Sequence, residues 1–379
     1  MTPVTDPTDP TDRTDPADAT DPTDPTVPTV ATMTVARAGE LDRAVLDEVD
    51  RAVVGKREAL TLVLAGVLAG GHVLMEDFPG LGKTLAARSF AQALGLHFTR
   101  AQFTPDLLPG DITGSFVYDQ RVGDFEFREG PIFAGLLLAD EINRTPPKTQ
   151  SALLEAMQEK QVTVEGRTFA LPRPFHVLAT ANPVEYEGTY PLPEAQLDRF
   201  LMRVSFGYPS LEQEWQILAR RMERQHEEQQ LNAVVGPDEL LAMQAAIEAT
   251  VVDESIGRYC VALTAATRSH GDVLMGASPR GALGLLLCAR AYAVIDDRDY
   301  VTPEDVKAVA PAVLAHRITV KPELWMGNVN GAAVVSGILR TVDTPSAREG
   351  SSTGLRDNRT GPSGSNTAPT IPAPGGGSR

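Results

Sequence analysis

A short strand pattern, His72 to Met75, runs into the string Asp77-Phe78-Pro79-Gly80-Leu81-Gly82-Lys83-Thr84, and helical periodicity follows from about Lys83 to Leu94. No other stretch restricts the fold as tightly. Glycine tolerates the backbone conformations that turn the N–H groups of Gly80, Leu81 and Gly82 inward around a phosphate. The N-terminus of the following helix adds partial positive charge. In that setting Lys83 would reach the β- and γ-phosphates of ATP, and Thr84 would ligate Mg²⁺. Pro79 and Leu85 flank the turn and are counted with the nucleotide-binding residues. A Gly/Lys/Thr cluster alone also fits a surface turn; the strand before it and the helix after it favour the phosphate cradle. One departure stands out, because the strict GxxxxGK[ST] pattern has glycine where this chain has Asp77. The inner glycines do the cradling, so nucleotide binding is expected to survive the change.

A second apolar strand, Leu136 to Ala139, leads directly into Asp140-Glu141. This puts two carboxylates at a strand's C-terminal edge, where open α/β sheets bind ligands. Asp140 would hold Mg²⁺, directly or through water, and Glu141 would polarise the attacking water. A DE pair opening a helix is the plainer alternative. A third strand, Val177 to Thr180, ends in Ala181-Asn182-Pro183. Asn-Pro by itself is usually a turn, but an Asn beside the carboxylates suits a contact with the γ-phosphate or the lytic water. Arg199, in Leu197-Asp198-Arg199-Phe200, and Arg280, in Ala277-Ser278-Pro279-Arg280, complete the candidate set. Most arginines are solvated surface residues, and these two gain meaning only from the nucleotide loop.

Around these motifs the chain divides into four parts. Residues 1–38 repeat Thr-Asp-Pro with a three-residue period from Thr5 to Pro25, and 343–379 are rich in Ser, Gly, Pro and Thr. Neither tail has enough apolar side chains to build a core, so both are expected to be disordered. Residues 39–207 alternate strands and helices, which implies an α/β core whose parallel sheet is covered on both faces. Ser115 to Glu129 and Val162 to Leu171 alternate residue by residue around glycine turns, as β-hairpins do. Residues 208–342 are read as all-helical, with start signals at Ser210, Ser278-Pro279 and Thr302-Pro303.

The formal net charge of −16 argues against nucleic-acid binding by bulk charge. Part of that acidity is local, since the first thirty residues carry seven Asp and one Arg. The two cysteines, Cys260 and Cys288, have no CxxC spacing and fit a reducing compartment. The apolar run Ala59 to Met75 is interrupted by Gly70, Gly71 and His72, which suits a buried helix and strand rather than a membrane span. A cytoplasmic protein without a transmembrane segment is expected.

Over about Leu41 to Val342 the chain resembles the MoxR family of AAA+ ATPases. The strings that carry the likeness are FPGLGKT at 78–84, QFTPDLLPGDITG at 102–114, LLLADEINRTPPKTQSALLEAMQE at 136–159 and LPEAQLDRF at 192–200. GASPRGAL around Arg280 and YVTPEDVKAVAPAVLAHR at 300–317 extend it. The resemblance implies a P-loop AAA+ core with hairpin inserts, followed by a helical lid. It also implies a homo-oligomeric ring, commonly a hexamer, with ATP and Mg²⁺ held between subunits. Lys83 and Thr84 match the Walker A pair, Asp140 and Glu141 the Walker B pair, Asn182 sensor 1 and Arg280 sensor 2. Arg199 matches the arginine finger that acts on a neighbour's ATP, with Arg144 a weaker candidate for a trans contact. Val54 and Gly55 resemble the segment that lines the adenine. Arg280 is expected to reach the γ-phosphate of its own subunit through the lid.

Family members act as chaperone-like ATPases on partner complexes, often with von Willebrand factor A domain proteins, so a protein client is expected and nucleic acid is not. A DNA motor or magnesium-chelatase-like subunit, and a nucleotide-gated scaffold with little catalysis, are the alternatives.

Overall fold

A computed structural model describes residues 32–345 except 122, 184–187, 225–228, 325–326 and 328. The expectations for residues 1–31 and 346–379 lie outside the described residues. The α/β part opens with α1 (Val35–Asp50) and α2 (Arg57–Leu68), then β1 (Val73–Glu76), α3 (Lys83–Ala93) and β2 (Phe98–Gln102). After α4 (Pro109–Thr113) comes a hairpin of β3 (Gly114–Asp119) and β4 (Asp124–Glu129), then β5 (Leu136–Asp140) and α5 (Pro147–Glu159). A second hairpin, β6 (Gln161–Val164) and β7 (Arg167–Ala170), precedes β8 (His176–Ala181), α6 (Glu194–Leu197) and β9 (Met202–Val204). Both hairpins expected from alternation are present and antiparallel.

The central sheet has the order β2-β5-β8-β1-β9, with every pairing parallel. The central strands β5 and β8 are buried along their whole length, so they read as apolar runs rather than alternating ones, whereas edge strand β2 carries polar, solvent-facing residues. The pleat still sorts the side chains. Val73, Met75, Leu136, Leu138 and Leu178 enter the core shared with α1, α2 and α3. Leu74, Leu137, Ala139, Val177 and Ala179 enter a second core against α5. Parallel order brings the C-terminal ends of β1, β5 and β8 to one edge, and their N-terminal ends to the other.

The helical part comprises α7 (Leu211–Arg224), α8 (Pro237–Glu248), α9 (Glu254–Ser269), α10 (Pro279–Ile295), α11 (Pro303–Leu314) and α12 (Gly331–Thr341). The caps sit where the sequence signals them: the Ser278 hydroxyl accepts from Arg280 N, and Thr302 with Asp305 closes a capping box. One element carries no such signal. β10 (Val273–Met275) pairs antiparallel with β11 (Thr319–Val320), so the region is helical apart from this ribbon. Leu240, Leu285 and Val309 of the helical part lie in the same buried cluster as α1 and α2. No helix among the described residues is long and apolar enough to cross a membrane.

Candidate nucleotide site

β1 delivers the phosphate loop, and the backbone explains its glycines. Gly80 and Gly82 have φ of +80° and +85°, a region that L side chains avoid. An added Cβ would meet nothing within 4 Å at either position, so conformation rather than crowding demands glycine there. Lys83 opens α3 and donates through Nζ to the carbonyls of Asp77 (2.5 Å) and Ala181 (3.3 Å). Burial lowers its pKa, while the carboxylates of Asp77, Asp140, Glu141 and Glu76 pull the other way and favour the ammonium.

The loop's departure from pattern has a structural role. The buried Asp77 carboxylate accepts from Phe206 N (2.5 Å), Gly207 N (2.7 Å) and Ser205 Oγ (3.0 Å). It thereby ties the start of the phosphate loop to the segment that leaves β9 for the helical part. Gly207 is held from its other side, where its carbonyl accepts from Lys56 Nζ at 2.8 Å.

At the ends of β5 and β8 one hydroxyl orients both acids. Thr180 Oγ1 donates to Asp140 Oδ1 (2.6 Å) and accepts from Glu141 N (2.8 Å). Asp140 also pairs with Arg100 at 2.7 Å. Glu141 has φ 57°, a left-handed conformation that costs a non-glycine residue about 1–3 kcal/mol and is characteristic of functional sites. Its Oε2 accepts from Gln102 Nε2 (2.7 Å) and Arg144 Nη1 (2.9 Å). Arg144, considered for a contact with a neighbour, is thus engaged within its own chain. Asn182 is buried, and its backbone is clasped by Asn143, whose Nδ2 donates to Asn182 O at 3.0 Å.

Together these residues line an open cavity of about 420 Å³ that includes Pro79, Gly80, Gly82, Lys83, Thr84 and Leu85 with Arg100, Asp140, Glu141 and Asn182. The donor set fits a magnesium-bound triphosphate: the loop's backbone N–H groups and Lys83 for phosphate oxygens, the Thr84 hydroxyl and Asp140 as hard oxygen ligands. Among the described residues no cluster of three or more His, Cys, Asp or Glu would hold a metal alone. Phosphate oxygens and water would supply its remaining ligands. Leu81, Val54 and Gly55 are not among the lining residues. Gly55 is covered by the Gln213 side chain of α7.

Arg199 and Arg280 depart from the rest. Both line a different cavity, of about 280 Å³, together with Gly70, Gly71 and His72. Those three residues precede β1, whereas the phosphate loop follows it. A four-residue strand therefore separates the two sites, a length of about 13 Å. Arg280, expected to reach its own subunit's γ-phosphate, does not line the phosphate cavity here and lies beside Asp198 at the other end of β1. Asp198 explains the placement. Its carboxylate pairs with the buried Arg317 (2.8 Å), accepts from Ser278 Oγ (3.3 Å) and lies 3.9 Å from Arg280 Nη1. Arg317 also donates to the carbonyls of Phe200, Leu201 and Val313. One clamp therefore sets both arginines on one surface.

Gln102, Arg100, Thr180 and Asn143 were not singled out from sequence. Gln102 and Asn143 lie inside strings that resemble the family, while Arg100 and Thr180 acquire meaning only from the strand register that sets Ala101 beside Ala139 and Ala139 beside Ala179.

Comparisons with known proteins bear on the family and the fold. A family model described as ATPase family associated with various cellular activities (AAA) matches residues 72–202, and one described as AAA lid domain matches 265–337. The chain is 48% identical over 308 residues to the uncharacterized protein YeaC of Bacillus subtilis, covering 81% of this chain and 96% of that one. It is 43% identical over 319 residues to chaperone MoxR1 of Mycobacterium tuberculosis, covering 82% and 84%. A crystal structure of a protein from Cytophaga hutchinsonii matches with a TM-score of 0.77 at 42% identity, covering 82% of this chain and 97% of that one.

Proposed function

Because the chain belongs to the MoxR family of AAA+ ATPases, we propose that it hydrolyses ATP at a site shared between two copies of itself. The observation that carries this reading is the separation of the arginines from the phosphate loop across β1. Lys83 and the loop N–H groups would take the β- and γ-phosphates, and Thr84 and Asp140 would hold magnesium, which would neutralise phosphate charge. Glu141 takes up the proton side of the attacking water, oriented with Asn182. Arg199 and Arg280 of a neighbouring copy meet the charge that develops on the γ-phosphoryl group.

Head-to-tail contacts of this kind generate rings when the rotation closes, and a hexamer is the reading the family resemblance favours. Loss of the γ-phosphate releases the neighbour's arginines, which lets the interface move. We read the output as remodelling or maturation of a partner protein complex, with a von Willebrand factor A domain protein as the candidate client. A cytoplasmic setting suits the two free, buried cysteines. The test is turnover by Glu141→Gln: bound ATP with hydrolysis nearly abolished is expected, and unchanged turnover would refute the assignment.

A further inference from the structure

α7 turns its apolar face to water. Leu211, Trp215, Leu218 and Met222 follow one another at spacings of four, three and four and so share one face. Their exposures are 86%, 55%, 58% and 60%, and Tyr208, just before the helix, extends the patch at 70%. A contiguous apolar surface of this kind marks an interaction site. The helix is held in place by its polar side. Gln213 packs on Gly55, and Arg220 Nη1 donates to the carbonyls of Asp50 (2.9 Å) and Arg51 (3.1 Å). It also flanks the phosphate loop, since the Tyr208 ring lies 5.7 Å from that of Phe78.

At the other end of β1, the cavity beside the two arginines has complementary chemistry. Ala69, Leu201, Leu283 and Leu287 give it an apolar floor, and Lys160, Arg199 and Arg280 give it a basic rim. Leu283 is itself 56% exposed. The first turn of α7 carries Glu212 and Glu214. An apolar stripe with an acidic end thus lies beside the phosphate loop, and an apolar groove with a basic rim lies beside the arginines. The two surfaces cannot meet within one chain, because they occupy opposite ends of the same strand.

We propose that α7 of one copy docks in the arginine-lined groove of the next. The contact that assembles the ring then also carries Arg199 and Arg280 toward the neighbour's phosphate loop. This inference rests on the shared-site reading, and the two are separable by experiment.

In the full chain, Trp215→Glu with Leu218→Glu is expected to abolish assembly by light scattering in the presence of ATP. Nucleotide binding per chain is retained, because neither side chain lines the phosphate cavity. Assembly indistinguishable from wild type would overturn the proposal. Circular dichroism checks folding, and Trp215→Phe should assemble normally. The second measurement is disulfide trapping in a mixture of Leu218→Cys chains and Leu283→Cys chains. Covalent pairs from the mixture, and from neither variant alone, are expected; assembled rings that yield none would overturn the docking.

Sedimentation of wild-type chain with phosphatidylcholine vesicles, lost in the double-Glu variant, would assign the stripe to a lipid surface instead. Burial of Trp215 in dispersed single chains would assign it to the chain's own tail. An inactive Arg199→Ala ring without trapped pairs sinks the docking and leaves the shared site standing. A fully active Arg199→Ala ring with trapped pairs does the reverse.

Discussion

Asp77 Oδ2 and the Phe206 N–H are joined at 2.5 Å, binding the root of the phosphate loop to the strand exit that leads into the helical part. The residue that breaks the glycine pattern therefore serves as a staple. Replacing Asp77 with Ala strands the buried N–H of Phe206 and the half-buried N–H of Gly207, at a cost on the order of 3 kcal/mol. Asp77→Gly, which restores the strict pattern, is expected to destabilise as much as Asp77→Ala, with Asp77→Asn milder. Urea unfolding midpoints of the three variants check this; a stabilised Asp77→Gly would contradict it.

Asp198 and Arg317 form the clamp behind the two arginines. Asp198→Ala leaves a buried guanidinium without its carboxylate, and losses of that kind run to about 3–5 kcal/mol. Arg280→Ala removes only an exposed side chain and should leave the unfolding midpoint unmoved while turnover collapses. Paired unfolding and ATPase measurements separate the positioning residue from the one that meets substrate.

Gln102 and Arg144 both donate to Glu141 Oε2, which orients the carboxylate that would accept a proton from water. Gln102→Ala is expected to lower kcat on the order of tenfold and leave the KM for ATP nearly unmoved, because Gln102 does not line the phosphate cavity. A raised KM with unchanged kcat would remove Gln102 from the hydrolytic apparatus.

Acid should weaken the fold in a defined window. Burial lowers the pKa of His72 to about 3 and of His176 to about 4, and lowers that of His316 well below its ordinary value. The unfolded chain therefore binds more protons than the folded one below about pH 6.5, so stability present above that value is lost as pH falls. Asp42 opposes this, because burial raises its carboxyl and the folded state keeps a proton that the unfolded state releases. Three histidines outnumber the one aspartate, so the balance of these groups is proton uptake on unfolding and a loss of stability in acid. Denaturant midpoints at pH 7.5, 6.0 and 5.0 should fall in that order; a flat series would contradict the buried neutral imidazoles.

The phosphate loop, Asp140, Glu141 and Asn182 were legible because phosphate chemistry demands given residue types directly after apolar strands. Strand order then had only to bring three ends together. The meaning of Asp77 was hidden because its partners stand at Ser205, Phe206 and Gly207, far along the chain. Arg280 was recognisable as a residue but not as a position. Ser278-Pro279 announces that a helix begins, whereas the Asp198–Arg317 clamp decides which edge of the sheet it meets. The β10–β11 ribbon is too short to leave a periodic signal.

The most direct test mixes two inactive variants. Glu141→Gln chains keep Arg199 but cannot activate water, and Arg199→Ala chains keep Glu141 but offer their neighbours no arginine. In a site shared between copies, an Arg199→Ala chain followed by a Glu141→Gln chain regains a full complement, so the mixture should hydrolyse ATP well above either variant alone. A mixture as inactive as its components, with mixed rings verified by mass, would place Arg199 in its own subunit's site and contradict the account.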